Sequence, residues 1–312
     1  MSAGASPPVV ATAPAARRPS GPVRLLRGWN WTASLFLAPA VFLLAVFMVY
    51  PVYDTVRLSF DGGLDVYTRL FEDKKFIDLS TFPPKGALFN NLLWAIVFPA
   101  ATIFFGLMVA VLSSRVRYEA AVKAVVFIPQ AIAATALGII WRFVFFPDPE
   151  TGLLNAILGV FGVGRIAWLG DVDWVNWSLI MAGVWASVGF ATVILSAAIK
   201  GINPEVLEAA RTDGATEGQI FRRIMVPMLS LPISVIAVTM VINVIKLFDL
   251  IYVMTNGGPA NRSRVIAFTF YTEALAQRNF EKGAAVAVVM MLILLPVAIF
   301  NIRRFRTARV TQ

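Results

Sequence analysis

The most regular feature of the sequence is a series of long apolar stretches that contain no Asp, Glu, Lys or Arg. Six of them reach membrane-spanning length: 28–53, 86–114, 124–141, 174–199, 224–245 and 283–302. A helix needs about 20 mainly apolar residues to cross a bilayer. The pattern therefore predicts an all-α integral membrane protein with six transmembrane helices in one domain, 28–303. The predicted spans lie at about 30–53, 88–112, 123–145, 176–199, 226–248 and 283–302.

Three segments fall outside this pattern. Residues 151–164 are apolar but too short for a span, and four glycines interrupt them, which predicts a short interfacial helix. Residues 1–27 are rich in Ala, Pro and Ser and carry four arginines, which predicts a disordered basic tail. A cleavable signal peptide is the alternative, although the first apolar run is longer than the roughly 7–15 residues of a signal core. Residues 304–312 form a second basic tail.

The composition is typical of a membrane protein, and it excludes several kinds of catalytic and metal site. The chain is 58% hydrophobic and 14% charged, and it contains neither His nor Cys. Zinc sites built on these residues, thiol catalysis, Ser-His-Asp triads and disulfides are therefore excluded. Gly-Lys occurs nowhere, so the chain has no phosphate-binding G-x-x-x-x-G-K-[ST] loop. We expect a non-catalytic chain without metal or cofactor, and any ATP-driven process would need a partner.

The chain has a net charge of +9, and its basic residues are concentrated in alternate segments between the predicted spans. The amino-terminal flank, the loops after the second and fourth spans and the carboxyl-terminal tail carry 15 of the 27 basic residues but 5 of the 18 acidic residues. Cytoplasmic segments of membrane proteins carry such an excess of Lys and Arg. The pattern predicts that both termini and these two loops are cytoplasmic, and it argues against a nucleic-acid partner.

Four of the predicted spans contain a proline: Pro39, Pro99, Pro129 and Pro296. Proline removes a backbone hydrogen bond and predicts a kink, which membrane helices tolerate when neighbours satisfy the freed carbonyl. The kinks can be ordinary packing features or hinges for a rocking motion. The sequence leaves both interpretations open.

The segment 203–227, between the fourth and fifth spans, carries strong helix-boundary signals. Asn203 is a typical N-cap and is followed by proline, which suits the first helical position. Gly214 suits the left-handed residue that ends many helices. Thr216 and Gln219 have the spacing of a capping box and predict the start of a second helix. We call residues 203–227, two predicted short helices with a hinge, the bracket.

The first bracket helix offers groups that a soluble partner can bind. Ala209 and Ala210 are small enough for another backbone to approach closely. Glu208 and Asp213 can accept charge-assisted hydrogen bonds from Arg or Lys of a partner. The alternative is an amphipathic helix that lies on the lipid surface without a partner.

The bracket resembles the EAA loop of bacterial ABC-importer permeases. The matching residues are Glu208-Ala209-Ala210, then Gly214 after three residues, then Ile224-Met225-Val226-Pro227 after nine more. Every spacing matches, and the one departure is Val226 in place of Leu. In that family the loop is the coupling helix that docks on the ATPase subunit. The resemblance implies this role for Glu208, Ala209, Ala210, Asp213 and Gly214, with Ile224 and Pro227 completing the motif.

Shorter matches cover most of the remaining chain. They are Ile140-Trp141-Arg142, Phe146-Pro147-Asp148, Gly152-Leu153-Leu154-Asn155, and 248–255 followed by Gly257-Gly258-Pro259. These segments are similar to carbohydrate permeases of the maltose type, which are type I importers. The resemblance implies a complex in the bacterial cell membrane with a second, different permease subunit, two copies of an ABC ATPase and an extracytoplasmic sugar-binding protein. ATP and Mg²⁺ would bind to the ATPase.

The resemblance favours an oligosaccharide such as an α-glucoside as substrate, with glycerol 3-phosphate or a polyol as the alternative within the same machinery. An ion-driven secondary transporter is a more distant alternative. No acidic residue lies inside the predicted spans, so such a transporter would lack an evident ion relay. A membrane enzyme is a third, but the outer carboxylates form no cluster in the sequence.

Polar residues inside spans are candidates for the substrate path. Asn243, Lys246 and Asp249 are spaced to lie near one face if the fifth helix continues. Gln130 and Trp185 offer an amide and an aromatic ring, which suit sugar hydroxyls and sugar faces. We name Gln130, Asn243, Lys246 and Trp185 as possible path residues. The alternatives are helix packing for most of them and a Lys246–Asp249 pair that anchors the outer helix end.

Overall fold

The computed structural model describes residues 31–80 and 82–310, and in this part of the chain helices joined by turns and loops make up the fold. Its β structure is limited, within these residues, to one isolated antiparallel bridge between Asp78 and Lys85. The predicted tail 1–27 and the last two residues lie outside the described residues. The all-α fold class is confirmed.

Fifteen α-helical segments follow one another in the described chain. They are α1 Trp31–Leu44, α2 Tyr50–Leu58, α3 Asp65–Glu72, α4 Ala87–Ser113, α5 Glu119–Phe127, α6 Ala134–Val144, α7 Leu153–Val160, α8 Val175–Lys200, α9 Pro204–Thr212, α10 Glu217–Ile220, α11 Val226–Met228, α12 Ser230–Ile245, α13 Asp249–Met254, α14 Ile266–Tyr271 and α15 Phe280–Val310. Short π-helical turns occupy Ala45–Val49, Phe221–Met225 and Thr272–Ala276, and a 3₁₀ turn occupies Ile128–Ala131.

Four described helices are long and apolar enough to cross a membrane: Ser34–Leu58, Ala87–Ser113, Val175–Lys200 and Phe280–Asn301. Two bent pairs, Glu119–Ala131 with Ala134–Val144 and Glu217–Met228 with Ser230–Ile245, bring the number to six if each pair is one span. The short apolar stretch 151–164 contains α7, as the prediction of a short helix requires.

The third apolar stretch is not a single continuous helix, as a span over 123–145 would imply. The chain turns by 103° between Ala131 and Ala134. Ile132 and Ala133 take extended backbone, with ψ of 129° and 140°, so the helical hydrogen bonds cannot continue through them. Pro129 lies in the 3₁₀ turn just before this break. The break exceeds the kink expected from the proline alone.

The fifth stretch is also interrupted. A bend of 63° at Leu229 separates α11 from α12, so Pro227 lies in the short helix before the bend rather than inside a straight span. The helix α12 ends at Ile245, and α13 starts a new helix at Asp249. The predicted 226–248 span therefore contains two helices, α11 and α12, and residues 246–248 are not helical.

The described residues form two units, one that ends at Pro51 and one that begins at Val52. In the first unit, α1 and the π-helical turn after it carry large apolar side chains that are exposed in the isolated chain. A helix that is apolar on all sides is typical of a membrane span.

The second unit is built around the pair α4 and α8. Their facing sides bury Trp94 and Phe98 of α4 against Leu179 and Leu195 of α8, together with residues of α6, α12 and α13. Gly189 of α8 lies against the last turn of α5, where an added Cβ would collide with the carbonyl oxygen of Val126. The absence of a side chain at Gly189 therefore permits this close approach.

A second, smaller core lies where α3 and α14 meet the first half of α15. Leu70, Phe76, Ile266 and Val286 are buried in it. The helix α15 runs to Val310 and so continues into the predicted tail 304–312. Its middle exposes Leu292, Leu295, Ile299 and Phe300, as expected of a surface in contact with lipid.

Candidate functional site

The first helix of the bracket, α9, has the boundaries that its sequence predicts. The Asn203 side chain caps it, since its Oδ1 accepts a hydrogen bond of 3.0 Å from the backbone N–H of Glu205. Gly214 follows its end with φ of +82°, a left-handed conformation that favours glycine. The N–H groups of Gly214 and Ala215 donate to the carbonyls of Arg211 and Ala210, both at 3.0 Å. This pattern is a Schellman motif.

The second helix of the bracket begins with the predicted capping box. The backbone N–H of Thr216 donates to Gln219 Oε1 at 2.9 Å, and the backbone N–H of Gln219 donates to Thr216 Oγ1 at 3.4 Å. An ion pair joins the two helices, with Arg211 Nε 2.8 Å from Glu217 Oε1. The hydrogen bond from Arg211 lowers the pKa of Glu217 below its usual value. The two helices are thus fixed to each other at their junction.

The motif residues of the bracket lie on its surface. Glu208, Ala209, Asp213 and Gly214 are exposed, and Ala210 is half-buried. Ile224 is half-buried in the π-helical turn, and Pro227 is exposed in α11. The four exposed residues of α9 and its end are therefore accessible to a protein that approaches the bracket.

A cavity of about 280 Å³ lies where α4, the α5–α6 break, α8 and the end of α12 meet. It is lined by Trp94, Phe98, Pro129, Gln130, Ile132, Ala134, Leu137, Gly183, Ala186, Ser187, Asn243, Val244, Leu247 and Leu250. Mostly apolar walls with a few polar groups are typical of small-molecule sites. The extended residues at the α5–α6 break bring Gln130 to this cavity, and the end of α12 brings Asn243.

The structure places two of the four predicted path residues at the cavity and two elsewhere. Gln130 and Asn243 line the cavity together, and Ser187 joins them. Trp185 is not among the lining residues, and its ring packs edge-on against Trp141 at 5.7 Å. Lys246 is exposed just after the end of α12. The cavity therefore contains two of the four.

The predicted common face of Asn243, Lys246 and Asp249 is wrong because the helix does not continue. Phe248, with φ of −130° and ψ of −58°, is not helical, and α13 starts only after it. Lys246 and Asp249 form no ion pair within residues 31–80 and 82–310, so the anchoring alternative is not observed either.

Sequence reasoning missed Trp94 and two buried asparagines about one turn before it on α4. Trp94 lines it, is 1% exposed, and its indole Nε1 has no hydrogen-bond partner in the described structure. The adjacent pair Asn90 and Asn91 is buried and binds backbone groups of distant segments. Two asparagines in an otherwise apolar stretch are the signal that could have identified this position.

The asparagines hold the loop before α14 against the start of α4. Asn90 Nδ2 donates to the carbonyls of Arg262 and Arg264, both at 2.7 Å. Asn176 Nδ2 donates to the same Arg262 carbonyl at 2.9 Å and to Asn90 Oδ1 at 3.3 Å. These loop carbonyls accept no helical hydrogen bond, and the asparagine amides take that place. The loop is therefore buried without leaving these backbone groups unpaired.

Comparisons with known proteins agree with this architecture. Residues 102–312 match the family model described as "Binding-protein-dependent transport system inner membrane component". The chain is 40% identical over 283 residues to the osmoprotective compounds uptake permease protein GgtC of Synechocystis sp., covering 87% of this chain and 98% of that protein. It is 39% identical over 281 residues to the alpha-glucoside transport system permease protein AglF of Rhizobium meliloti, covering 86% and 81%.

A solved structure has the same fold. A chain of a bacterial alginate ABC transporter, crystallised with a periplasmic protein carrying alginate pentasaccharide, superposes with a TM-score of 0.72 at 24% identity. The match covers 87% of this chain and 92% of that chain. The resemblance drawn from the bracket is confirmed, and the chain belongs to the family of inner membrane components of binding-protein-dependent transport systems.

Proposed function

We propose that this chain is a permease subunit of an ABC importer that moves a sugar into the cell, with an oligosaccharide or α-glucoside as the substrate. An extracytoplasmic binding protein delivers the sugar, and two copies of an ATPase that bind ATP and Mg²⁺ supply the energy. A second permease subunit, different from this one, completes the pathway. Both termini and the bracket lie on the cytoplasmic side of the membrane.

The observation that carries this proposal is the cavity shared by Gln130, Ser187 and Asn243. An amide both donates and accepts hydrogen bonds, as a sugar hydroxyl does. The buried rings of Trp94 and Phe98 form part of the apolar wall behind these polar groups. A weak site of this kind suits transport, because the ligand must also leave.

The charge of the cavity supports a neutral substrate. None of the lining residues in the described chain is Lys or Arg. A phosphate ligand would call for convergent cationic groups, so glycerol 3-phosphate fits the cavity less well than a neutral sugar. The relative AglF is named for alpha-glucosides, which agrees with this choice.

A small osmoprotective solute is the second candidate substrate. The relative GgtC, at 40% identity, is named for uptake of osmoprotective compounds. The cavity of about 280 Å³, with its few polar groups, has room for a small neutral solute as well as for part of a sugar. Competition between an α-glucoside and small neutral osmolytes in one uptake assay separates the two.

The form of the bracket supports its proposed role in coupling. Its helices are capped at the predicted residues and joined by the Arg211–Glu217 ion pair, so it can transmit a displacement without bending. Glu208, Ala209, Asp213 and Gly214 are exposed and available to the ATPase. The bracket then moves with the ATPase, and the cavity opens to alternate sides of the membrane.

The test is purification of the tagged chain from its native membrane in mild detergent. We expect an ATPase and a second permease to copurify. The double variant Glu208→Lys/Gly214→Val should lose the ATPase and keep the second permease. The double variant Glu150→Lys/Gly162→Val, with the same changes at exposed positions outside the bracket, should keep both. A chain that purifies alone and transports in vesicles without ATP would overturn the proposal.

A further inference from the structure

A second cavity, of about 490 Å³, lies between the last turns of α4 and the bracket. It is an open, mainly apolar groove, lined by Phe104, Leu107, Met108, Val111, Leu112, Arg115, Leu207, Arg211, Glu217, Gly218, Ile220, Phe221, Met225 and Val226. We call it the bracket groove. Its α4 side exposes large apolar side chains, with Phe104 at 63% and Leu112 at 58%. The first cavity, which is lined by Gln130 and Asn243, shares none of these residues.

The length of the bracket groove matches one leaflet of a bilayer. Phe104 and Arg115 are eleven residues apart at the two ends of its α4 wall. At 1.5 Å per residue this is about 16 Å, close to half of the roughly 30 Å hydrocarbon core. Phe104 lies just past the middle of α4, and Arg115 follows its end at Ser113. An acyl chain could therefore lie along the groove from headgroup level toward the middle of the membrane.

The charges at the mouth of the groove favour an anionic headgroup. Glu217 is paired with Arg211. Arg115 is exposed and forms no ion pair within residues 31–80 and 82–310. The three charged lining residues, Arg115, Arg211 and Glu217, therefore leave one net positive charge at the mouth. A guanidinium binds phosphate oxygens in a bidentate geometry.

We propose that the bracket groove binds one anionic phospholipid of the cytoplasmic leaflet, with the headgroup phosphate on Arg115 and an acyl chain along Met108 and Phe104. The orientation of the groove rests on the membrane topology stated under Proposed function. Leu207 of α9 and Phe221 at the end of α10 form the opposite wall. The lipid thus fills the space between a transmembrane helix and the bracket, and it supports the bracket against displacement toward α4.

Fluorescence quenching tests this site directly. The chain contains no Cys, so Phe104→Cys gives a single thiol for a bimane label on this subunit. The labelled transporter, purified through a tag on this chain, is placed in vesicles of phosphatidylcholine that contain brominated phosphatidylglycerol or brominated phosphatidylcholine. We expect brominated phosphatidylglycerol to bind about fivefold more tightly, the preference that one Arg near an anionic lipid gives.

The control compares two arginines of the same loop. Arg115→Gln should abolish the preference for phosphatidylglycerol, and Arg115→Lys should keep most of it. Arg117→Gln removes the same charge from an exposed residue that does not line the groove, and the preference should stay. Equal reduction by Arg115→Gln and Arg117→Gln would show general surface attraction and overturn the proposal.

Two further outcomes would also overturn it. Equal quenching by the two brominated lipids would show an ordinary lipid-exposed surface. Absence of quenching would show that a protein segment covers the groove. The assay needs neither sugar nor ATP, so its result is independent of the transport assay and of the copurification test.

Discussion

The side chain of Asn91 on α4 binds the backbone of Ile266, which is 175 residues away in the sequence. Asn91 Oδ1 accepts a hydrogen bond of 2.6 Å from the Ile266 N–H, at the first residue of α14. Asn91 Nδ2 donates at 3.1 Å to the carbonyl of Val244, in the last turn of α12. One buried amide thus joins α4 to the end of one helix and the start of another. It fixes the end of α12, where Asn243 lines the cavity.

Replacing Asn91 should therefore destabilise the protein. Asn91→Leu leaves the buried Ile266 N–H without its acceptor, which costs about 1–3 kcal/mol. We expect a lower unfolding midpoint of the detergent-solubilised protein. Leu92→Ala alters the next, exposed residue and should change the free energy of unfolding by less than about 0.5 kcal/mol. Equal effects of the two variants would contradict the bridging role of Asn91.

Gly214 should matter for coupling more than for folding. A β-branched residue at φ of +82° costs roughly 1–3 kcal/mol, so Gly214→Val should deform the end of α9 and reduce ATP-driven uptake. Gly162→Val provides the matched control. Gly162 also has positive φ, +73°, and open space around it, but it lies outside the bracket.

The two valine variants should lose similar stability, whereas only Gly214→Val should lower uptake per mole of inserted protein. Uptake into vesicles and the unfolding midpoint are the two measurements. Full uptake by Gly214→Val would disprove the coupling role of the bracket.

Loss of one cavity amide should weaken sugar transport moderately. Gln130→Ala or Asn243→Leu removes a hydrogen-bonding group that is worth about 0.5–1.5 kcal/mol, which raises the KM for uptake about 2- to 10-fold. Thr239→Val, about one turn earlier on α12 and outside the cavity, should leave KM unchanged. Unchanged KM in both cavity variants would place the path elsewhere.

The ion pair between Asp73 and Lys282 gives a pH-dependent contribution to stability. Lys282 Nζ lies 2.7 Å from Asp73 Oδ2 and 3.4 Å from Glu273 Oε1. Burial raises the pKa of Asp73, but the hydrogen bond from Lys282, the backbone hydrogen bond from Lys75 and the charges of both lysines outweigh it and lower the pKa below 3.8. Because the folded state has the lower pKa, the contribution is complete above pH 3.8 and is lost as pH falls through the folded value.

Asp73→Asn should therefore lower the free energy of unfolding at pH 7 by about 1 kcal/mol, since the pair is only partly buried, and the unfolding midpoint should fall with it. The difference from the unsubstituted protein should shrink below pH 3.8. Asp61→Asn, at an exposed residue, should have little effect at either pH. A difference that grows on acidification would contradict this assignment.

The bracket could be predicted from the sequence because its signals are local. An N-cap, a capping box and a left-handed glycine each act within about four residues, and the structure has all three at the expected positions. The cavity was predicted only in part. Gln130 and Asn243 reach it, whereas Lys246 does not, because α12 ends at Ile245. The predicted face assumed a helix continuing past this point.

The sequence by itself determined the class of the protein, since uncharged stretches of membrane length require helices and few other structures satisfy the backbone inside lipid. It also determined the bracket, through local capping. The tertiary structure decided the rest: the 103° turn after Ala131, the end of α12 and the approach of α4 to α8. These features depend on contacts between residues far apart in the sequence, such as Asn91 with Ile266, and no local pattern encodes such a pairing.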